Sequence, residues 1–224
     1  MDPIAQLALA TAAFIVTHFV PSTPLRGAVA GAIGEKAWLG LYSLAAFVTI
    51  GWMAWAYGKA PFQPLWPGLR LLPLLLMPVA LLLLVGGLMT RNPSAVMQQG
   101  ALKSAEPARG MVRVTRHPVM WAIALWAATH ILARGDLASL VFFGGFLLVA
   151  ALGTVLIDAR KARTLGEDWK RFAAVTSSVP FGAIAGGRNR LVLAEMGWRV
   201  ILVALIAYVA LLAVHGPLFG ARPF

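Results

Sequence analysis

The side chains best suited to chemistry in this sequence are its four histidines, His18, His117, His130 and His215. His18 and His130 each stand inside an apolar run with no acid beside them, His117 opens the run that holds His130, and His215 ends the last one. A polar ionisable group is expensive to hold inside a membrane span, so such a residue is a functional candidate by default. Neutral imidazole is the commonest metal ligand, and a membrane haem b needs two axial groups, which histidines on different helices supply. Zinc would need a third and fourth ligand, and no such set is evident. Cysteine is absent, which removes thiolate ligands, c-type haem attachment, disulfides and cysteine nucleophiles together. The basic residues Arg26, Arg116, Arg160 and Lys161 lie at the rim of the apolar runs, where haem propionates could pair with them. The competing reading is structural: an imidazole satisfied by a helix carbonyl, a serine or a threonine. His215, at the very end of its run, reads as an interfacial anchor.

Two short motifs stand out beside the histidines. Thr115-Arg-His-Pro-Val-Met120 suits a helix start, since proline is tolerated in the first turn and the free amides there attract anions. Gly166-Glu-Asp-Trp-Lys-Arg-Phe172 is amphipathic, and its two acids are equally consistent with a solvated helix face. Either alone says little. Their order, with a helical hairpin between them, is more specific.

The elements that must position these residues follow from composition. Of 224 residues, 60% are hydrophobic and 12% charged, and the mean hydropathy is +0.80. An ordinary soluble domain is about a quarter charged. This much apolar surface does not fit into one small core, and a run of about 18 apolar residues can cross a bilayer as a helix. The expected fold is all-α, a polytopic membrane protein of about six spans with short interfacial helices, forming one transmembrane domain over residues 1–224. The spans read as 4–20, 37–57, 71–89, 118–133, 137–157 and 200–215. Pro73 and Pro78 predict a kink in the third, because proline lacks the donor for the ladder bond. Arg134-Gly-Asp136 predicts a tight hairpin. Asp158 to Ala174 reads as helix, Ser177-Ser-Val-Pro-Phe181 as its break, and Leu191 to Trp198 as a surface helix. The first run lacks a basic leader and a cleavage site, so it is expected to stay as a span.

The net charge of +11 would suggest nucleic acid in a soluble protein. Here the basic residues lie between apolar runs, where they meet lipid headgroups, and no nucleic-acid partner is expected. Alternate connections hold four and fifteen of the nineteen Lys and Arg. By the positive-inside rule this predicts a bacterial inner-membrane protein with both termini periplasmic. The tryptophans and Tyr57 around the second span read as interface anchors. The expected partners are the lipid bilayer and a lipophilic small molecule. Depth in this topology pairs His18 with His117, since His130 lies about 20 Å further along its helix.

The chain resembles the NnrU-type membrane proteins, the group that includes the cis-zeta-carotene isomerases. The resemblance rests on His18 with Pro21-Ser-Thr-Pro-Leu-Arg26, Gly34-Glu35, Leu41-Tyr-Ser-Leu44, Thr115-Arg-His-Pro118, Ala128-Thr-His130, Gly166-Glu-Asp-Trp169 and Ser178-Val-Pro-Phe181. It implies a haem b protein whose axial ligands match His18 and His130, and the residues themselves add His117, Arg26, Arg116 and Arg160 as candidate cofactor contacts. The activity it implies is redox-gated cis-trans isomerisation of a polyene, or a part in nitrogen-oxide metabolism. Where the isomerase has a cysteine three residues before its second ligand, this chain has Ala127. The hairpin also resembles the isoprenylcysteine and phospholipid methyltransferases, which would place S-adenosylmethionine near Arg116, His117, Glu167 and Asp168. In this chain Met120 and Trp169 replace that family's two tyrosines. A third expectation is a non-catalytic membrane assembly factor.

Overall fold

The computed structural model describes residues 1–221, in which the regular elements are helices. Of the four basic residues assigned to the periplasmic side, Lys59, Arg70, Arg134 and Arg222, the last lies outside the described residues. In order the helices are α1 (Pro3–Phe19), α2 (Pro24–Ile33), α3 (Glu35–Lys59), α4 (Leu72–Met89), α5 (Met111–Val114), α6 (Pro118–Arg134), α7 (Leu137–Val175), α8 (Gly182–Ala185) and α9 (Trp198–Phe219). Among the described residues, five stretches are long and apolar enough to cross a membrane: Pro3–Ser22, α3, α4, α7 and α9. Helix α6, at 17 residues, is the short element anticipated at that place. Its length is about 26 Å, just under the hydrocarbon thickness. The chain is a polytopic all-α membrane protein. Large apolar side chains such as Phe47 and Leu75 are 74% and 72% exposed, which water would penalise and lipid does not.

The chain forms two compact units, each discontinuous in sequence: residues 1–70 with 127–149, and residues 71–126 with those from 150 onward. In the first, α1 begins at Asp2, whose carboxylate accepts from the Ala5 amide at 2.8 Å, with Pro3 in the first turn. Leu7, Ala10 and Phe14 recur on one face of α1 and pack against Met53 and Ala56 of α3 and Ala138 of α7. Gly145 of α7 lets α1 approach closely, since a Cβ there would sit 2.5 Å from Thr11 Cγ2. The predicted hairpin at Arg134-Gly-Asp136 is present, with Gly135 at φ 64° and its carbonyl accepting from the amides of Leu65 and Trp66 at 2.7 and 3.2 Å.

In the second unit α4 packs on α9 through Leu81, Val85, Val200 and Ala204. Pro73 falls in the first turn of α4, where the missing donor costs nothing, so only Pro78 interrupts the ladder. The carbonyl four residues before Pro78 belongs to Leu74, and the Tyr208 hydroxyl of α9 donates to it at 3.0 Å. Gly166, at φ 52°, bends α7 out of helical geometry, and beyond it Trp169 and Phe172 bury against Ala108 and Val112. The surface helix expected over Leu191 to Trp198 is absent. Only a 3-10 turn, Leu193–Glu195, forms there, because Gly197 at φ 71° breaks the chain direction and the Glu195 side chain is drawn inward.

Candidate functional site

Two of the candidate histidines lie in the first unit. His18 occupies the last turn of α1, and its Nδ1 is 2.8 Å from the Phe14 carbonyl. A carbonyl only accepts, so Nδ1 carries the proton and Nε2 keeps its lone pair. The His18 ring leans on Phe14 at 4.2 Å and meets the edge of Tyr42 at 6.2 Å, while Tyr42 stacks on Trp38 at 6.0 Å. His130 of α6 lies 5.1 Å from Phe143 of α7. Between the histidines runs a chain of ring contacts: Phe14 to Phe146 at 4.7 Å, Phe146 to Phe142 at 5.4 Å and Phe142 to Phe143 at 5.0 Å. Thr11 Oγ1 and Thr129 Oγ1, on the same two helices as the histidines, are buried without a hydrogen-bond partner. Leaving such a group unsatisfied costs about 1–3 kcal/mol.

A polar chain that the residue types alone did not mark borders these rings. Asp136, 1% exposed, caps α7 by accepting from the Ser139 amide at 3.0 Å and its hydroxyl at 2.6 Å. Ser139 Oγ is in turn 2.8 Å from the Tyr57 hydroxyl, and Arg134 Nε is 3.4 Å from the Asp136 carboxylate. Tyr57 stacks on Phe142 at 4.5 Å, so this residue is packed inside the unit and is more than the interface anchor expected of it. The signal available in the sequence was an acid three residues before a serine at a helix start.

Arg26, the other candidate of this unit, donates to Glu35 at 2.5 Å, bridging α2 and the start of α3. The remaining candidates lie in the second unit. Arg116 and His117 both turn to Asp158 of α7. Arg116 Nε donates to the two carboxylate oxygens at 3.0 and 2.9 Å and its Nη2 to one of them at 2.5 Å. His117 Nε2 donates to the same carboxylate at 2.7 Å, with its side chain 1% exposed. That nitrogen is therefore engaged. The two motif segments meet here, as the Arg116 amide donates to the Ser177 carbonyl and the Phe181 amide to the Val114 carbonyl, at 2.9 and 2.8 Å. Thr115 Oγ1 and Trp121 Nε1 both donate to the Ser178 carbonyl at 2.7 Å.

Glu167 and Asp168 do not join this cluster. They are exposed and pair with Lys170 and Arg171 one turn on, the solvated face that their amphipathic stretch allowed. Arg160 and Lys161 stand on α7, and Lys161 Nζ reaches the Ala95 carbonyl at 3.4 Å. Asp158 itself was missed. As an acid directly after an apolar run it carried the signal of an intramembrane charge.

A second ion pair organises the connection before α9. Arg113, 8% exposed, donates Nε and Nη2 to the two oxygens of Glu195 at 2.7 and 2.8 Å, and its Nη1 to Asn189 at 2.8 Å. The Gly110 amide adds 2.9 Å to the same carboxylate. The guanidinium beside it, helped by that amide, holds the Glu195 carboxyl at about 2. Glu195 likewise raises the Arg113 guanidinium above its ordinary value.

With this geometry in place, the likeness to known proteins can be placed on it. The chloroplastic 15-cis-zeta-carotene isomerases of Arabidopsis thaliana and Zea mays are 34% and 32% identical to this chain over 82 residues. That stretch is 37% of this chain and 22% of either relative, so the chain spans about a fifth of the length of the curated relatives it matches. No solved structure matches it. The family model described as NnrU protein matches residues 6–223, all but the first five and the last, and the chain belongs to the NnrU family.

Proposed function

We propose that this NnrU-family protein binds a haem b, which His18 and His130 would hold, and acts as a cis-trans isomerase of a lipophilic polyene. The reading is carried by one observation. Two imidazoles on different helices share one compact unit, each against a phenylalanine ring, and His18 keeps its Nε2 lone pair free of the hydrogen bond that fixes its ring.

The donor set fits haem in kind. His18 lies against Phe14 and Tyr42 and His130 against Phe143, and two buried threonine hydroxyls on the same helices have polar capacity left over. The bond from His18 Nδ1 to the Phe14 carbonyl sets the ring orientation and raises the basicity of Nε2, which is how outer partners tune a ligating histidine. The rings of Phe142, Phe143 and Phe146 form an apolar cluster, chemistry that suits contact with a hydrocarbon chain. Arg26 is the propionate partner that the first unit offers, in exchange for its exposed pair with Glu35. His117 and Arg116 instead lock the motif segment to α7 through Asp158. Haem bound between His18 and His130 would supply a redox-active metal centre to a conjugated substrate. The isomerase activity is carried over from the printed names of the two curated relatives. In a bacterial inner membrane, the location proposed here, the four-to-fifteen division of basic residues supports an orientation with the fifteen on the cytoplasmic side.

The test is to express the chain with a cis-configured polyene and follow the isomers by chromatography. Conversion that disappears in His18→Ala and in His130→Ala is the expected result. Conversion unchanged in both variants, or absent from haem-loaded protein, overturns the reading.

A further inference from the structure

The second unit contains a half-open cavity of about 1080 Å³ at the end of the α4–α9 pair, outside the histidine site. One wall is apolar and comes from the last turn of α4 (Leu88 and Met89) and the first of α9 (Trp198 and Val200). Both helices are membrane-spanning by length and composition, so their adjoining ends bring the cavity to headgroup level. Leu88 is exposed on the flank of α4, which makes the wall continuous with the lipid-facing surface.

The other wall is charged, and its charges do not cancel. Four cations, Arg91, Lys103, Arg109 and Arg199, line the cavity against two carboxylates, Glu106 and Glu195. Glu195 is already neutralised by the buried Arg113 guanidinium. Glu106 lies within ion-pair distance of both Arg109 and Arg113. Arg199 lies over the Trp198 ring at 5.6 Å. Among the described residues, Arg91 and Lys103 have neither a carboxylate within ion-pair distance nor a side-chain hydrogen bond.

We propose that this cavity binds the phosphate-bearing headgroup of an anionic amphiphile, with Arg91 and Lys103 on the phosphate and the hydrocarbon chain against Leu88 and the first turn of α9. The volume is far more than a bare phosphate needs and lies just above the range of about 300–1,000 Å³ of pockets that enclose drug-sized ligands. A mixed lining of unpaired cations and exposed apolar side chains at the membrane surface matches an amphiphile, whose two ends have those two chemistries. The alternative is diffuse attraction of anionic lipid to a basic face, and it differs in one respect: it does not depend on which cations are removed.

The experiment uses the full chain in neutral detergent, with native mass spectrometry and a titration as readouts. Dioctanoyl phosphatidylglycerol is the probe, with dioctanoylglycerol and inorganic phosphate as separate arms. The expected result is saturable one-to-one binding of the phospholipid, weakened tenfold or more in Arg91→Ala/Lys103→Ala and less than twofold in Arg163→Ala/Arg190→Ala, two basic positions outside the cavity. Arg91 and Lys103 are exposed, and unchanged melting temperatures confirm that the variant folds; Lys103→Glu, a single change of opposite charge, serves as the second variant with the same expected loss. Equal losses in the two double variants overturn the proposal in favour of diffuse attraction. Equal binding of dioctanoylglycerol removes the phosphate from it, and inorganic phosphate competing at the same concentration removes the amphiphile.

Discussion

The most specific structural prediction concerns Pro78, Leu74 and Tyr208. Proline at 78 cannot donate to the Leu74 carbonyl, and the Tyr208 hydroxyl of α9 fills that role at 3.0 Å. Tyr208→Phe keeps the ring and deletes only the donor. A carbonyl left bare in hydrocarbon would cost several kcal/mol. Leu74, however, is the third residue of α4, near the helix end where water and headgroups compete, so the cost falls to the scale of interhelical bonds in membranes, about 1 kcal/mol. Pro78→Ala restores the amide and lets α4 satisfy the carbonyl itself. In that background Tyr208→Phe should cost no more than about 0.3 kcal/mol, leaving a coupling of about 1 kcal/mol. The four proteins of the cycle are compared by reversible unfolding in mixed micelles, followed by tryptophan fluorescence. A penalty for Tyr208→Phe that is equal with and without Pro78 refutes the reasoning, because it would show the hydroxyl to be serving something other than the broken ladder.

Further outcomes follow from the other contacts. Glu195 titrates at about 2 when folded against an ordinary 4.5, so its contribution is complete above pH 4.5 and drains away as the pH falls toward 2. Allowing for solvent screening, that is on the order of 1–2 kcal/mol, and melting curves of Glu195→Gln should lack this acid-side slope; a slope equal to that of the parent contradicts the assignment. Asp158→Asn should lower stability by about 2 kcal/mol, because Arg116 and the buried His117 lose their common carboxylate, whereas Glu167→Gln should leave the melting temperature unchanged. Equal effects at the two positions would show that the Asp158 cluster is not structural. Gly135→Ala should cost more than about 2 kcal/mol, since its φ is 64° and a Cβ would lie 2.2 Å from the Trp66 carbonyl oxygen, while Gly144→Ala, with nothing within 4 Å, should not destabilise. Comparable melting temperatures for these two variants would contradict the turn geometry.

The spans were legible because hydrocarbon thickness imposes a length on apolar runs, and the Arg134-Gly-Asp136 turn because so few residues can join two such helices. Helix α7 runs on through Val175, with its break at Gly166, because Trp169 and Phe172 find Ala108 and Val112 to bury against. The helix over Asp158 to Ala174 was legible, but its break at Gly166 and the burial of Trp169 and Phe172 were not, because those partners are far off in sequence. The same holds for Glu195, whose inward turn to Arg113 across 82 positions replaces the surface helix expected there. At the site, residue type was enough to single out His18 and His130. It could not reveal that His117 is committed to Asp158, a partner 41 positions away that only the folded hairpin brings near. Nor could it reveal that Tyr57 belongs to a buried chain with Ser139 and Asp136.

Whether His18 and His130 together hold a haem is read from the visible spectrum of the detergent-purified protein after haem-sufficient expression. The expected spectrum has a Soret band that shifts on reduction, is lost in His18→Ala and in His130→Ala, and survives in His117→Ala, whose Nε2 is already engaged by Asp158. A colourless parent protein, or a Soret band that persists in both of the first two variants, would contradict haem ligation by the pair.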